Sequence, residues 1–265
     1  MRELKQEELK ATALQIMKDI HAYCEKNHLT YFLCGGTLLG AVRHQGFIPW
    51  DDDIDICMPR TDYEKFLVEY TSDHYTVLSH KKNQGYYLPF AKVIDNRTRI
   101  DETLVKSIPG CGVFVDVFPL DGLSDDMNTA KRIVKKAKTY MHANAIAICL
   151  PLKNKTIKNM LRNLLIWFLS FNEYDSWAKR IEELSRHYPF ATSRYVGCAF
   201  GYYGYREIHR AEVFADRQLL RFEDSQFYAP IGTKEYLTSF YGDYMTPPPV
   251  EKQMAHHSFR AYWKE

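Results

Sequence analysis

The chain has 265 residues, 46% of them hydrophobic, so it can bury one large core or two smaller ones. A formal net charge of +2 provides no strongly basic surface, and we therefore expect no nucleic-acid partner. No apolar run reaches the ~18 residues that a membrane span needs, and the charged N-terminus does not resemble a signal peptide. Six scattered cysteines indicate reduced, buried thiols. Together these features predict a globular protein of the cytoplasm.

The first predicted elements lead to a glycine turn. Residues 3–26 carry apolar side chains at helical spacing, and residues 31–34 form a short apolar run typical of a buried strand. Gly35 and Gly36 break this run, and residues 37–44 again show helical spacing. Backbone N–H groups at such a helix N-terminus attract phosphate oxygens. The turn therefore predicts a phosphate-binding loop.

A cluster of aspartates follows at residues 51–53 and 55. From Asp53 onward charged and apolar residues alternate, which predicts a strand with Asp53 and Asp55 on one face and their Cα atoms about 6.6 Å apart. At this spacing the two carboxylates can converge on one hard divalent ion or on a pair of ions. An acidic turn in solvent is the alternative, but Ile54 and Ile56 indicate that the strand is buried. The pattern predicts a metal and phosphate site.

Two further charged residues lie within apolar runs. Lys92 in FAKVID either extends to solvent or contacts a phosphate. Asp116 lies between Val115 and Val117, where an isolated carboxylate is costly unless it is paired or meets a cation. A hydrogen bond from Asp116 to a loop is the alternative interpretation.

The motifs together resemble a known family. The segment GGTLLGAVRHQGFIPWDDDIDI, residues 35–56, closely resembles the signature of the LicD family of phosphocholine transferases, which also includes the fukutin-type phosphotransferases. Supporting motifs are PFAKVIDNRT at 89–98, GVFVDVFPLDG at 112–122 and YGDYMTPPP at 241–249. The resemblance implies an α+β fold, with a nucleotidyltransferase-like mixed β-sheet, flanking helices and a helical C-terminal part. We expect residues 1–125 to form the catalytic core and residues 126–265 a mainly helical region that binds donor and acceptor.

The resemblance also implies a reaction and its residues. It implies transfer of phosphocholine from CDP-choline to a hydroxyl of a cell-surface glycan precursor, of teichoic acid or lipopolysaccharide, with Mg²⁺ or Mn²⁺. The expected catalytic and metal-binding residues are Asp53, Asp55 and Asp116. The expected donor-binding residues are Gly35, Gly36, Thr37, Arg43, His44 and Lys92. Further candidates for substrate binding are Trp50, Asp52, Tyr202, Tyr203, His256 and His257.

Three alternatives remain open. A nucleotidyltransferase would use the same carboxylates but release pyrophosphate from a nucleoside triphosphate, and a related phosphotransferase would use another CDP-alcohol such as CDP-ribitol. A catalytically inactive scaffold is the third alternative, and the three intact carboxylates argue against it.

Two later segments add hypotheses. The tyrosines of YVGCAFGYYGY, residues 195–205, either bind a quaternary ammonium group through cation–π contacts or simply pack in the core. Residues 153–171 combine basic side chains with a bulky apolar end. They predict either a core helix with a basic flank or a peripheral contact with an anionic membrane at its inner face.

Overall fold

The computed structural model describes residues 1–154, 156–170, 175–253 and 259–264. The α-helices α1 to α7 span Gln6–Asn27, Gly35–His44, Arg60–Glu69, Met127–Ala147, Ile157–Leu169, Ser176–Ser185 and Thr233–Tyr241. The strands β1 to β12 span Arg2–Glu3, Phe32–Leu33, Asp55–Pro59, Tyr75–Leu78, Ala91–Asp95, Thr98–Glu102, Phe114–Leu123, Tyr195–Gly197, His209–Arg210, Arg217–Phe222, Ser225–Pro230 and Phe259–Trp263. This content confirms the predicted α+β class.

A mixed sheet forms the centre of the fold. Its strands follow the order β2-β3-β7-β5-β4, and β8 extends it by pairing with both β7 and β9. Strands β3 and β7 run parallel, whereas the other pairs of this sheet are antiparallel. The register places Asp116 opposite Asp55 on one side and opposite Lys92 on the other. Because directly opposite residues share a face of the sheet, three charged side chains meet at one place.

The sheet is covered by helices, which explains its apolar strands. All five residues of β5 and nine of the ten in β7 are buried. Helix α1 lies against β5 and β7 and buries Ala13, Ile16, Met17, Ile20 and Cys24, which recur at the spacing of one helical face. All six cysteines are free thiols and five are buried, as predicted.

The C-terminal half is interleaved with the N-terminal half. Strand β8 joins β7, and β12 lies between β1 and β6 in a second, three-stranded sheet. Strands β10 and β11 form a hairpin. Within the described ranges, residues 126–265 contribute five strands as well as four helices. The division near residue 125 stays a prediction.

No helix among the residues described is both long and apolar enough to cross a bilayer.

Candidate active site

Two glycines bring the start of α2 against the aspartates. Gly35 has a φ of +54°, a conformation that residues with a side chain rarely adopt. A Cβ atom on Gly35 would lie 3.3 Å from Oδ2 of Asp55, and a Cβ on Gly36 would lie 2.8 Å from Oδ2 of Asp51. The absence of side chains at both positions therefore lets the backbone approach the carboxylates closely.

Hydrogen bonds fix this turn to the rest of the protein. The hydroxyl oxygen of Thr37 accepts a hydrogen bond from the N–H of Asp55 at 2.8 Å, and the N–H of Gly35 donates to the hydroxyl of Tyr236 at 3.0 Å. Both groups were expected to bind phosphate, but here they join α2 to β3 and α7. The N–H groups of Gly36 and Thr37, which have no acceptor within the helix at its N-terminus, remain suited to an anion.

The aspartates converge at the mouth of a cleft. Strand β3 begins at Asp55, so Asp53 lies in the preceding loop and not within the strand as predicted. Both residues nevertheless line the same cleft. Carboxylate oxygens of Asp51, Asp52 and Asp53 lie within 4.8 Å of one another. Partial burial of Asp55, and then the charges of Asp53, Asp116 and Asp51, raise its pKa well above the usual range.

Asp116 forms a buried ion pair behind Asp55. The Nζ atom of Lys92 lies 2.7 Å from Oδ1 of Asp116, and both side chains are at least nine-tenths buried. The sequence predicts that Asp116 is paired, and its partner is Lys92 of the neighbouring strand β5. Neither residue lines the cleft. The pair offsets part of the negative charge gathered around Asp55, and the predicted contact of Lys92 with a phosphate stays a prediction.

The cleft has a volume of about 510 Å³ and is built from both halves of the chain. The N-terminal half supplies Gly36, Leu39, Arg43, Ile48, Trp50, Asp51, Asp53 and Asp55. The C-terminal half supplies Tyr203, Tyr241, Asp243, Tyr244, Thr246, Pro248 and Lys252. The halves are joined at the rim because Nη1 of Arg43 donates to the carbonyl oxygen of Tyr244 at 3.0 Å.

A second, smaller cavity of about 120 Å³ lies beside Asp55, and we call it the inner chamber. Asp55 and Tyr203 line both the cleft and the chamber. The other residues that line the chamber are Cys34, Gly35, Cys57, Phe118, Leu120, Cys198, Gly201, Tyr202, Glu207, His209, Tyr236 and Phe240.

Some predicted site residues lie elsewhere. The ring of His44 accepts a hydrogen bond from Nε of Arg43 at 2.9 Å, and neither His44 nor Asp52 lines the cleft or the chamber. Tyr202 is 86% exposed and lies at the edge of the chamber, whereas Tyr203 lies between the two cavities. His256 and His257 fall outside the described residues.

The sequence does not predict the part of the cleft formed by the end of α7 and the residues after it. Tyr241, Asp243 and Tyr244 line the cleft there, and they belong to the motif YGDYMTPPP that supports the family resemblance. That motif was the available signal. Glu207 and His209 gave no comparable signal, because each is a single polar residue that only the fold brings to the chamber.

Comparison with known proteins agrees with this geometry. The profile of the LicD/FKTN/FKRP family, nucleotidyltransferase domain, matches residues 28–160, which include the glycine turn, Asp53, Asp55 and Asp116. The chain belongs to the LicD/FKTN/FKRP family. Membership confirms the predicted resemblance and the predicted class, a LicD-type transferase.

Individual relatives extend this match. Lipopolysaccharide cholinephosphotransferase LicD of Haemophilus influenzae is 32% identical over 270 residues, covering 99% of this chain and 99% of the relative. An uncharacterized protein of Rickettsia typhi is 40% identical over 92 residues, covering 33% of this chain and 29% of that protein. An uncharacterized protein of Rickettsia prowazekii is 47% identical over 66 residues, covering 24% of this chain and 25% of the relative.

Proposed function

We propose that this protein transfers phosphocholine from CDP-choline to a hydroxyl group of a lipopolysaccharide precursor. The observation that carries the proposal is the cleft at the N-terminus of α2, where Asp53 and Asp55 converge, in a chain similar over its length to a lipopolysaccharide cholinephosphotransferase. A volume of about 510 Å³ is typical of sites for small molecules and cofactors.

A divalent ion, Mg²⁺ or Mn²⁺, fits the residues of the cleft. Asp53 and Asp55 offer hard oxygen ligands, and we propose Asp116 as the third carboxylate because it lies directly opposite Asp55. Burial, and then the charges of Asp53, Asp116 and Asp51, raise the pKa of Asp55, and a cation bound there would favour the charged carboxylate. When bound, the ion would neutralise charge on the diphosphate and on the CMP that leaves.

The chain's own residues position the donor. The N–H groups of Gly36 and Thr37 at the start of α2 hold phosphate oxygens. The guanidinium group of Arg43, anchored on Tyr244 at the rim, directs its remaining donors at the nucleotide phosphate. Trp50 and Tyr241 line the same cleft and offer rings for the cytosine to stack on.

In the proposed reaction the acceptor hydroxyl oxygen attacks the phosphorus of phosphocholine. A new P–O bond forms while the bond from that phosphorus to the bridging oxygen of CMP breaks. The hydroxyl proton must pass to a base, and Asp116 is the candidate for this role in the alternative in which it does not hold the ion. Lys92 holds this carboxylate in place through the 2.7 Å ion pair.

Release of CMP from CDP-choline tests the proposal. Purified protein is incubated with Mg²⁺ or Mn²⁺ and a lipopolysaccharide acceptor, with and without EDTA. Asp55→Asn should abolish release, because a neutral amide is a poor ligand for a hard cation. The matched control is Asp73→Asn, since Asp73 is exposed and lies outside both cavities.

Other outcomes would identify the alternatives. Turnover of CDP-ribitol but not CDP-choline would keep the site and replace the donor. Pyrophosphate release from a nucleoside triphosphate would indicate a nucleotidyltransferase, and a teichoic acid precursor that works where lipopolysaccharide fails would replace the acceptor. CMP release that persists in Asp55→Asn would contradict the assignment of the site.

We also propose that α5 contacts an anionic membrane surface. Two of its polar residues bond to the segment before the helix: Asn163 bonds with both backbone groups of Leu152, and Arg162 donates to the carbonyl oxygen of Leu150. Ile166 is buried, but most of the apolar residues are 45–79% exposed; they are Ile157, Met160, Leu161, Leu164, Leu165, Trp167 and Phe168. In a soluble protein the apolar face of a helix is usually buried, so this exposed apolar surface indicates a contact.

Charge favours a membrane over a second copy of the chain as the partner. Residues 148–170 contain four basic residues and no acidic residue. A basic helix with exposed Trp, Phe and Leu suits the interface of a bilayer that contains anionic lipid. We propose that the glycan acceptor is linked to lipid, so that this contact would bring the protein to it.

Co-sedimentation with vesicles tests the contact. The protein should bind vesicles of phosphatidylglycerol and phosphatidylcholine, and less to pure phosphatidylcholine or at high salt. Leu161→Glu with Leu164→Glu should prevent binding, whereas Leu219→Glu, at a leucine of β10 that is also exposed, should not. A concentration-dependent dimer without vesicle binding would indicate a second copy instead.

A further inference from the structure

We propose that the inner chamber binds the trimethylammonium group of the donor and that Glu207 selects a cationic headgroup. This inference rests on the proposed function, because it concerns the alcohol part of the same donor. It assigns a role to a cavity and to two buried polar residues that the steps described above do not use.

The chamber lies where the headgroup of a donor would reach. Asp55 lines both cavities, so a diphosphate bound beside Asp55 has the cleft on one side and the chamber on the other. The cleft, at about 510 Å³, has room for a nucleoside, whereas the chamber, at about 120 Å³, has room only for a compact group.

Aromatic rings form much of the chamber wall. Tyr203 stacks on Phe240 with 4.4 Å between ring centroids, Tyr236 also packs on Phe240 at 4.4 Å, and Phe118 closes another side. The faces of such rings attract cations through their quadrupoles. A trimethylammonium group has no N–H to satisfy, so it loses no hydrogen bonds among these largely apolar walls.

Glu207 places a buried carboxyl group at the chamber that forms no ion pair with a cation of the described residues. The residue is only 7% exposed, and its Oε1 atom accepts a hydrogen bond from the N–H of Tyr203 at 3.1 Å. Within the part of the chain described, no cation forms an ion pair with it. A buried carboxylate in this position is costly unless it is protonated or meets a cation from outside.

The titration of Glu207 is consistent with a cation site. Burial raises the pKa of Glu207 to about 8, although the hydrogen bond from the N–H of Tyr203 and the charge of Lys138 act to lower it. The carboxyl group therefore holds its proton near neutral pH when the chamber is free of cations. A bound cation favours the charged form and displaces that proton.

His209 provides the second, independent observation. Its residue exposure is 5%, and its Nε2 atom has no hydrogen-bond partner among the described residues. Its ring stacks on Tyr236 at 4.8 Å, and burial lowers its pKa to about 4. The imidazole is therefore neutral at physiological pH, so it offers a further aromatic face without repelling a cation.

The competing explanation is that Glu207 only anchors the Tyr203 backbone. Glu207→Gln separates the two roles, because the amide oxygen of glutamine can still accept the N–H of Tyr203 while the side chain cannot become negative. Glu212→Gln is the matched control, since Glu212 is exposed and lies outside the chamber.

Equilibrium binding to the full-length protein with Mg²⁺ tests the inference. We compare CDP-choline, CMP, and a CDP-3,3-dimethylbutanol donor in which carbon replaces the quaternary nitrogen. Wild-type protein should bind CDP-choline about tenfold or more tightly than the neutral isostere, as expected for a desolvated cation beside a carboxylate. Glu207→Gln should lose this preference and leave CMP binding unchanged, and Glu212→Gln should behave like the wild type.

Each outcome has a separate meaning. Equal binding of CDP-choline and its neutral isostere by the wild type would overturn the inference, even if Glu207→Gln failed to fold. A folded Glu207→Gln variant that keeps the preference for the cation would also overturn it. If the wild type neither binds CDP-choline nor releases CMP from it, the proposed function fails instead.

Discussion

Replacing Thr37 tests how the glycine turn and the aspartates are held together. Thr37 is only 4% exposed, and its hydroxyl is the acceptor for the N–H of Asp55 at 2.8 Å. In Thr37→Val the shape is kept but the acceptor is lost. An unsatisfied buried N–H costs about 1–3 kcal/mol, and in a protein of this size each kcal/mol lowers the Tm by roughly 2–4 °C.

The matched control is Thr37→Ser, which keeps the hydroxyl. It loses one methyl group, worth about 0.8 kcal/mol of apolar burial, but retains the hydrogen bond to Asp55. Because Asp55 stays anchored, we expect Thr37→Ser to keep most of its CMP-releasing activity. Thr37→Val should lose activity as well as stability, since a carboxylate in the cleft is no longer fixed in position.

Two measurements check this reasoning in the free protein. Thermal unfolding gives the Tm, and hydrogen exchange at β3 reports on the N–H of Asp55 directly. We expect faster exchange at this amide in Thr37→Val but not in Thr37→Ser. A Thr37→Val variant with wild-type Tm and exchange, but weakened donor binding, would refute the reasoning and return the hydroxyl to the phosphate-binding role suggested by the sequence.

Three further changes have defined outcomes. Gly36→Ala places a methyl group against the Asp51 carboxylate; we expect weaker Mn²⁺ binding by EPR, without the loss of Tm that a misfolded turn would give. Arg60→Ala removes two 2.7 Å hydrogen bonds from the buried carboxylate of Asp121 and should cost about 3–5 kcal/mol in urea unfolding, so an unchanged midpoint would contradict the pairing. The raised pKa of Glu207 means that its contribution to stability is present below pH 4.5 and is lost as the pH rises towards about 8; Glu207→Gln should flatten this part of the stability–pH curve.

The local parts of the site could be predicted from the sequence. Two adjacent glycines before a helical pattern predict a turn where other groups can approach the backbone closely. Alternation of charged and apolar residues around Asp55 predicts a strand. Both predictions succeed because each depends on residues close in the chain. The predicted start of that strand was two residues too early. Asp53 lies in the loop, since alternation identifies a face of a strand but not the residue at which pairing begins.

The pairings over long distances could not be predicted. Asp121 is a buried strand residue bound to Arg60, 61 positions earlier. The hydroxyl of Tyr236 reaches the N–H of Gly35 across 201 positions. Periodicity shows that a side chain points inward, but the partner it meets depends on strand order, which one sequence does not specify.

Helix α5 shows the same limit in another form. The sequence indicated a helix with a basic flank and an apolar face, and it left open which face is buried. Asn159 and Asn163 bond to the backbone of residues 152–154, and most of the apolar side chains of the helix are left exposed. An amphipathic pattern therefore identified the helix, whereas its orientation came from local polar contacts.

The charges of the cleft suggest why a cation and the anionic donor belong to one reaction. Four carboxylates line the cleft against the two cationic groups of Arg43 and Lys252. A diphosphate approaching this surface alone would be repelled. Burial, and then the charges of Asp53, Asp116 and Asp51, raise the pKa of Asp55. In the proposed reaction, a divalent ion held by Asp53 and Asp55 would neutralise these charges and favour the diphosphate. The carboxylates that would oppose donor binding without the ion are thus the groups that we propose to make it favourable with the ion.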